Sequence, residues 1–261
     1  NEAESGADWQ PYPRWITGQA ANGDPFNFDP IKCAQYLIRY LVLMDSYGFK
    51  ITYLDVTNEW QSNSGTSRVT PSDVVTIRNY LLANLPPNIQ MPLIVAPSAW
   101  SFSQGASWVN AAASQGRLGG FDIASSHNTG KQGTPQDFAD AANAAGKEVW
   151  DSEVHGWKGA TPTDEIPNFY QWLDRINAGF TGLDSWLAIG TTAQGHCYIL
   201  NNGTTVTRNV KYYIFRKLTT TSNYGHALDI TQSTNLTSAA ALLRGNLLTV
   251  WVLNNSTATV P

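Results

Sequence analysis

The sequence predicts an α/β fold made by serial β/α winding, followed by a short β-rich region. Apolar strands and amphipathic helices alternate from Pro30 onward. The strand centres near Val56, Val95, Ala124, Asp151 and Trp186 are separated by 39, 29, 27 and 35 residues, the length of a strand, a covering helix and two loops. After about Gly190 the alternation gives way to short runs between turn residues. Winding of this kind makes a parallel sheet, either open and doubly wound or closed as a (β/α)8 barrel, with functional groups just past the carboxyl ends of its strands. No glycine-rich phosphate fingerprint follows any of these strands, which argues against a nucleotide-binding version.

The opening, Asn1 to Phe28, has neither helical nor alternating periodicity and reads as a long loop. Asp29 then caps a helix with Pro30 in its first turn, and Leu37, Leu41 and Met44 recur at helical spacing until Gly48. Ile51 to Thr57 reads as a strand. Thr70-Pro71 and Thr134-Pro135, each followed by Asp two residues on, open two further helices, because Thr caps, Pro is pre-organised and the carboxylate favours the positive helix end. These run to about Leu85 and to Gly146. Between and after them come a strand Leu93–Ala96, a helix Ala106–Ser114, a strand Phe121–Ser125, a strand Lys147–Ser152, a helix Glu165–Gly179 and a strand Leu183–Ile189. The region beyond reads as short β runs at Tyr212–Leu218, Ala227–Ile230, Ala239–Leu243 and Leu247–Leu253, with a hairpin turn at Arg244-Gly245-Asn246 and an unpaired polar tail, Asn254 to Pro261. The expected domains are therefore 1–200 and 201–261.

With 261 residues, 42 % of them hydrophobic, the chain can bury a sizeable core. A net charge of −4 supplies no basic surface for nucleic acid or an anionic bilayer, and no apolar run approaches a membrane span. No charged start followed by an apolar stretch marks a signal peptide, so the chain is expected to be soluble and either mature or cut. Ten Trp, eleven Tyr and nine Phe stand among many neutral hydrogen-bonding residues, a surface chemistry that suits sugars, although large aromatics also fill cores. The two cysteines, Cys33 and Cys197, lie too far apart in sequence for a metal knuckle, and their pairing is left open.

Two strands end alike. Thr57-Asn58-Glu59-Trp60 closes the first, and Asp151-Ser152-Glu153-Val154-His155 closes the fourth, so each delivers a Glu to the sheet edge. Cleavage of a glycosidic bond needs one carboxyl group to protonate the leaving oxygen and a second to attack, or to activate water, at the anomeric carbon. Trp60 beside one Glu, and Trp150 and Trp157 around the other, offer stacking faces and the desolvation that raises a carboxyl pKa.

Asn58-Glu59, followed 94 residues later by Trp150-Asp151-Ser152-Glu153, resembles the acid/base and nucleophile signatures of the clan A retaining glycoside hydrolases. The opening PYPRWITGQAANG resembles the loop after barrel strand 3 in family 30 and its relatives, which carry a β-sandwich beside a TIM barrel. The resemblance implies that Glu59 is the general acid/base, Glu153 the nucleophile and Asn58 a partner of the sugar 2-hydroxyl. It implies substrate contacts at Trp100, His127 and Trp186, with no cofactor and no metal, and Trp60 and Trp157 are expected to join them from their places beside the two Glu. Trp60 stands where family 30 usually has Pro. On this alignment the five strands are barrel strands 4 to 8, leaving no room for a complete barrel of roughly 250 residues plus a sandwich. The chain is then expected to be part of a larger secreted enzyme acting on a polysaccharide or oligosaccharide, with the N-terminal part of that enzyme as its structural partner.

Two other functions fit the same residues. A carbohydrate-binding or structural protein descended from such a hydrolase would keep the Trp surface and release no reducing ends. A metal-dependent hydrolase would use His127, His155 and carboxylates, but the four histidines show no HxH or HExxH spacing. Four N-glycosylation patterns, at Asn202, Asn235, Asn254 and Asn255, fall in the β-rich end, where chance in an Asn- and Thr-rich sequence accounts for them unless the source is eukaryotic.

Overall fold

The structure is a computed structural model that describes residues 13–18, 27–59, 69–129, 131–155, 162–186, 188–191, 197–222, 225–231 and 238–254. The chain forms two compact units, Asn1–Trp150 and Asp151–Pro261.

The first unit begins with a one-turn helix α1 (Arg14–Thr17) inside the stretch expected to be loop, ended by Gly18 in the left-handed region at φ 69°. It continues with α2 (Pro30–Ser46), β1 (Tyr53–Asp55), α3 (Pro71–Asn84), β2 (Leu93–Ala99), α4 (Phe102–Ser114), β3 (Ile123–Ser126) and α5 (Pro135–Ala144). The three strands are parallel, in register Leu54 with Ile94 and Ala96 with Ala124. The expected helix starts hold. Asp29 accepts from the N–H groups of Ile31 and Lys32, and Thr70 and Thr134 each form a capping box with the Asp three residues on. Helix α2 packs on α3 and α4 on α5. The core between helices and sheet holds Ile77, Leu81, Ile94, Trp108, Phe121 and Phe138, all at most 1 % exposed. Trp108 is a core residue whose indole N–H donates to the Val69 carbonyl at 3.1 Å while its ring meets Phe121 edge-on.

Strand β4 (Glu148–His155) begins in the first unit and ends in the second, where α6 (Pro162–Asn177), β5 (Gly182–Trp186), β6 (Ile189–Gly190), β7 (Ile199–Asn201), β8 (Val206–Arg208), α7 (Val210–Ser222), β9 (His226–Leu228), β10 (Ser238–Arg244) and β11 (Leu247–Leu253) follow. Within the first unit β1, β2 and β3 share one sheet in chain order, as serial winding requires.

Tyr212–Leu218, expected as a β run, is helical. Its aromatic and β-branched composition imitates a strand, yet the inward residues Lys211, Ile214, Phe215 and Leu218 recur at helical spacing. At its end the hydroxyls of Thr219, Thr220 and Thr221 donate to carbonyls four residues back, so residues of poor helix propensity supply their own hydrogen bonds. The sequence reading passed over β6 to β8, runs of two or three residues in their own small sheet, in which the exposed β7–β8 turn is held by Asn202 Oδ1 accepting from the N–H groups of Thr204 and Thr205.

The hairpin expected at Gly245-Asn246 forms, with Arg244 opposite Leu247 and Gly245 at φ 58°, a conformation glycine adopts without Cβ strain. With β9 it makes a three-stranded antiparallel layer packed on α6 and α7, whose core includes Trp172, Leu173, Leu218, Ala240, Leu242 and Leu253. The tail beyond Asn254 lies outside the described residues. Both cysteines are buried free thiols, and burial pushes Cys33 up to about 12, with Asp29 and Asp73 adding to the rise.

Candidate active site

In the first unit, parallel strands carry their carboxyl ends to one edge, and the residues past β1 and β3 meet there. Glu59 lies four residues beyond Asp55 with its backbone in the left-handed region at φ 49°, uncommon for a residue with a Cβ. Its Oε1 stands 3.7 Å from Nε2 of His127, which is completely buried. The His127 backbone N–H donates to the Ala99 carbonyl at 3.0 Å, tying the chain just past β3 to the end of β2. The half-buried Trp100 ring meets that imidazole edge-on with centroids 6.3 Å apart. Sequence residues Glu59, His127 and Trp100 are thus one cluster, with half-buried Asn58 next to Glu59 on the same loop.

Beneath Glu59 runs a set of hydrogen bonds centred on β2. The ladder between β2 and β3 slips between Pro97 and Ala99, so Ser98 is the extra residue of a bulge, with its own left-handed φ of 45°. The bulge takes the Ser98 N–H out of the ladder, and Ser125 Oγ accepts it at 3.0 Å. The Ser98 hydroxyl bonds Asp55 and lies 2.7 Å from the Ser125 hydroxyl. Asp55 also accepts the Thr57 N–H at 3.2 Å, and the Thr57 hydroxyl donates to the Pro97 carbonyl. Sequence reading missed Asp55, Ser98 and Ser125. The strand expected over Leu93–Ala96 continues through Pro97 to Ala99.

In the second unit, Glu153 sits half-buried near the carboxyl end of β4. Its N–H donates at 3.0 Å to Oδ1 of Asp151, a fully buried carboxylate paired with Arg175 of α6, itself only 3 % exposed. The Arg175 guanidinium also donates to the Gln171 carbonyl at 2.9 Å. Half-buried Trp186 ends β5, and its carbonyl accepts from Lys211 Nζ at 3.4 Å. Trp60 and Trp157 lie outside the described residues.

No family model matches the chain, and no curated protein matches it in sequence. Solved structures do. The catalytic domain of GH30 xylanase C from Talaromyces cellulolyticus is 14 % identical, with a TM-score of 0.68 over 88 % of this chain. SrfJ from Salmonella typhimurium is 15 % identical, with a TM-score of 0.76 over 95 % of this chain. The chain spans 56 % and 61 % of the lengths of those two. At this identity the likeness is one of fold, and the chain shares the fold of a glycoside hydrolase catalytic domain over most of its length.

Proposed function

We propose that the protein is a retaining glycoside hydrolase that cleaves β-linked polysaccharide by double displacement, with Glu153 as nucleophile and Glu59 as acid/base. The observation that carries this reading is the setting of Glu59: a carboxylate past a strand's carboxyl end, on a left-handed backbone, against the buried imidazole of a residue whose backbone is tied to the end of β2. Glu153 supports it from its own unit, since its backbone is tied to a buried aspartate. The fold likeness to a xylanase catalytic domain agrees.

In the first step Glu153 attacks the anomeric carbon while Glu59 gives its proton to the leaving oxygen. In the second Glu59 takes a proton from water, which displaces Glu153 from the covalent intermediate. Asn58 bonds the 2-hydroxyl, and His127, Trp60, Trp100, Trp157 and Trp186 contact the sugar chain. In the same reading the five strands are strands 4 to 8 of a (β/α)8 barrel, the three-stranded layer belongs to a β-sandwich, and the enzyme is secreted.

The test is release of reducing ends from xylan, galactan and β-glucan by the full protein, with the product anomer followed by proton NMR. Retention of configuration is expected. Separate Glu59→Gln and Glu153→Gln variants should each lose at least about 100-fold in turnover of the natural polymer. A crystal structure should place the two carboxyl groups about 5 to 5.5 Å apart. Binding without any release of sugar would mark a non-catalytic glycan-binding protein instead.

A further inference from the structure

We infer that Ser98 is a positioning residue for Glu59, acting through Asp55 and Thr57; the inference rests on Glu59 being the general acid. Its hydrogen bonds allow one consistent donor order. An ionised Asp55 can only accept, so the Ser98 hydroxyl donates to it. Ser98 Oγ then has lone pairs left, and the Ser125 hydroxyl donates to Ser98. The Ser98 N–H closes the loop onto Ser125 Oγ at 3.0 Å. Ser98 and Ser125 are both at most 1 % exposed, so the pair is sheltered from competing water and holds the Asp55 carboxylate in one orientation.

That orientation reaches Glu59 along the chain. The Asp55 oxygen that does not bind Ser98 accepts the Thr57 N–H, and the Thr57 hydroxyl ties the same loop to Pro97, the residue before Ser98. On the other side of Ser98, the Ala99 carbonyl holds the His127 backbone. The bulge at Ser98 therefore sets the separation between the anchor of the Glu59 loop and the anchor of the imidazole that faces Glu59. An extra residue in β2, with a left-handed φ, is a local cost that supportive hydrogen bonds on every side maintain.

A positioning role makes a prediction that a purely structural role does not. Protonation matters for a poor leaving group and little for a good one, so misplacing the acid should damage hydrolysis selectively. Ser98→Gly removes the hydroxyl while keeping a residue at ease at positive φ, and it is expected to fold with a melting temperature lowered by the lost hydrogen bonds but above the assay temperature. In the full protein, kcat/KM for the phenyl glycoside of the disaccharide released in the screen above should fall roughly 10- to 100-fold, and for the dinitrophenyl glycoside by less than about threefold. Ser125→Ala should show the same selectivity and keeps the test decisive if Ser98→Gly unfolds. Glu59→Gln is assayed beside them. If Glu59→Gln discriminates between the two leaving groups while Ser98→Gly and Ser125→Ala lose nothing, or lose equally on both, the positioning role is overturned and the acid stands. If Glu59→Gln shows no discrimination, the acid assignment itself fails and takes this inference with it.

Discussion

The ends of β1 and β4 follow one plan in different materials. In each, an aspartate accepts the N–H two residues ahead: Asp55, the last residue of β1, from Thr57 at 3.2 Å and Asp151, midway along β4, from Glu153 at 3.0 Å. In each, the second carboxylate oxygen takes a donor from another element. For Asp55 that donor is a neutral hydroxyl, and for Asp151 it is a guanidinium. Burial explains the choice, since Asp55 is exposed and Asp151 is not. A hydrated carboxylate keeps its charge with help from water, whereas a carboxylate cut off from water needs a cation and filled lone pairs. The same backbone device is therefore held by an ion pair in the second unit and by neutral hydroxyls in the first.

The largest expected effect tests the buried bracket. Arg175→Met leaves the Asp151 charge without its partner and should cost about 3 to 5 kcal/mol of stability, read as a lower urea midpoint at unchanged slope. Arg175→Lys keeps the charge but loses the fork that reaches both Asp151 and the Gln171 carbonyl, and a smaller loss is expected. The neutral bracket should be cheaper to break. Thr57→Val preserves shape, removes the donor to the Pro97 carbonyl and should cost about 1 to 2 kcal/mol by the same measurement. A Thr57→Val loss as large as that of Arg175→Met would erase the distinction between the two ends.

The parts of this design that a linear pattern can carry were legible. Thr-Pro-x-Asp announces a capping box because both halves are local, and the places of Glu59 and Glu153 follow from the serial alternation of strands and helices. What was not legible is long-range or conformational. The bulge at Ser98 depends on which β3 residue faces it, and Arg175 meets Asp151 across 24 positions of sequence. Val210–Ser222 misled because its residue types favour a strand while its burial follows a helix, and only packing decides between them. His127 was singled out as a sugar contact, but its complete burial and its place against Glu59 needed the fold.

Acid should separate the two units further, though by less than the substitutions do. In the first unit burial alone would raise Asp122, but the hydrogen bond from Arg78 at 2.6 Å and the Ile94 N–H at 2.8 Å outweigh it and hold the carboxyl below its ordinary value of 3.8. Asp137, bonded by the hydroxyl and N–H of Thr134, is lowered too. In the second unit burial pushes Asp174 above 3.8, with Arg175 only partly offsetting it. A depressed carboxylate stabilises the fold above its unfolded pKa and loses that contribution as pH falls through the folded value. A raised one is the reverse: the folded state binds the proton more tightly, so stability rises as pH is lowered from the folded pKa toward 3.8. The second unit should therefore gain protection on mild acidification and the first should lose it only below 3.8, as followed by segment-resolved hydrogen exchange across a pH series. Asp174→Asn is expected to flatten the gain and Asp122→Asn the loss. If Asp174→Asn leaves the upper limb unchanged, burial of that carboxylate is not what distinguishes the second unit, and the contrast between the units reduces to the Asp151–Arg175 pair.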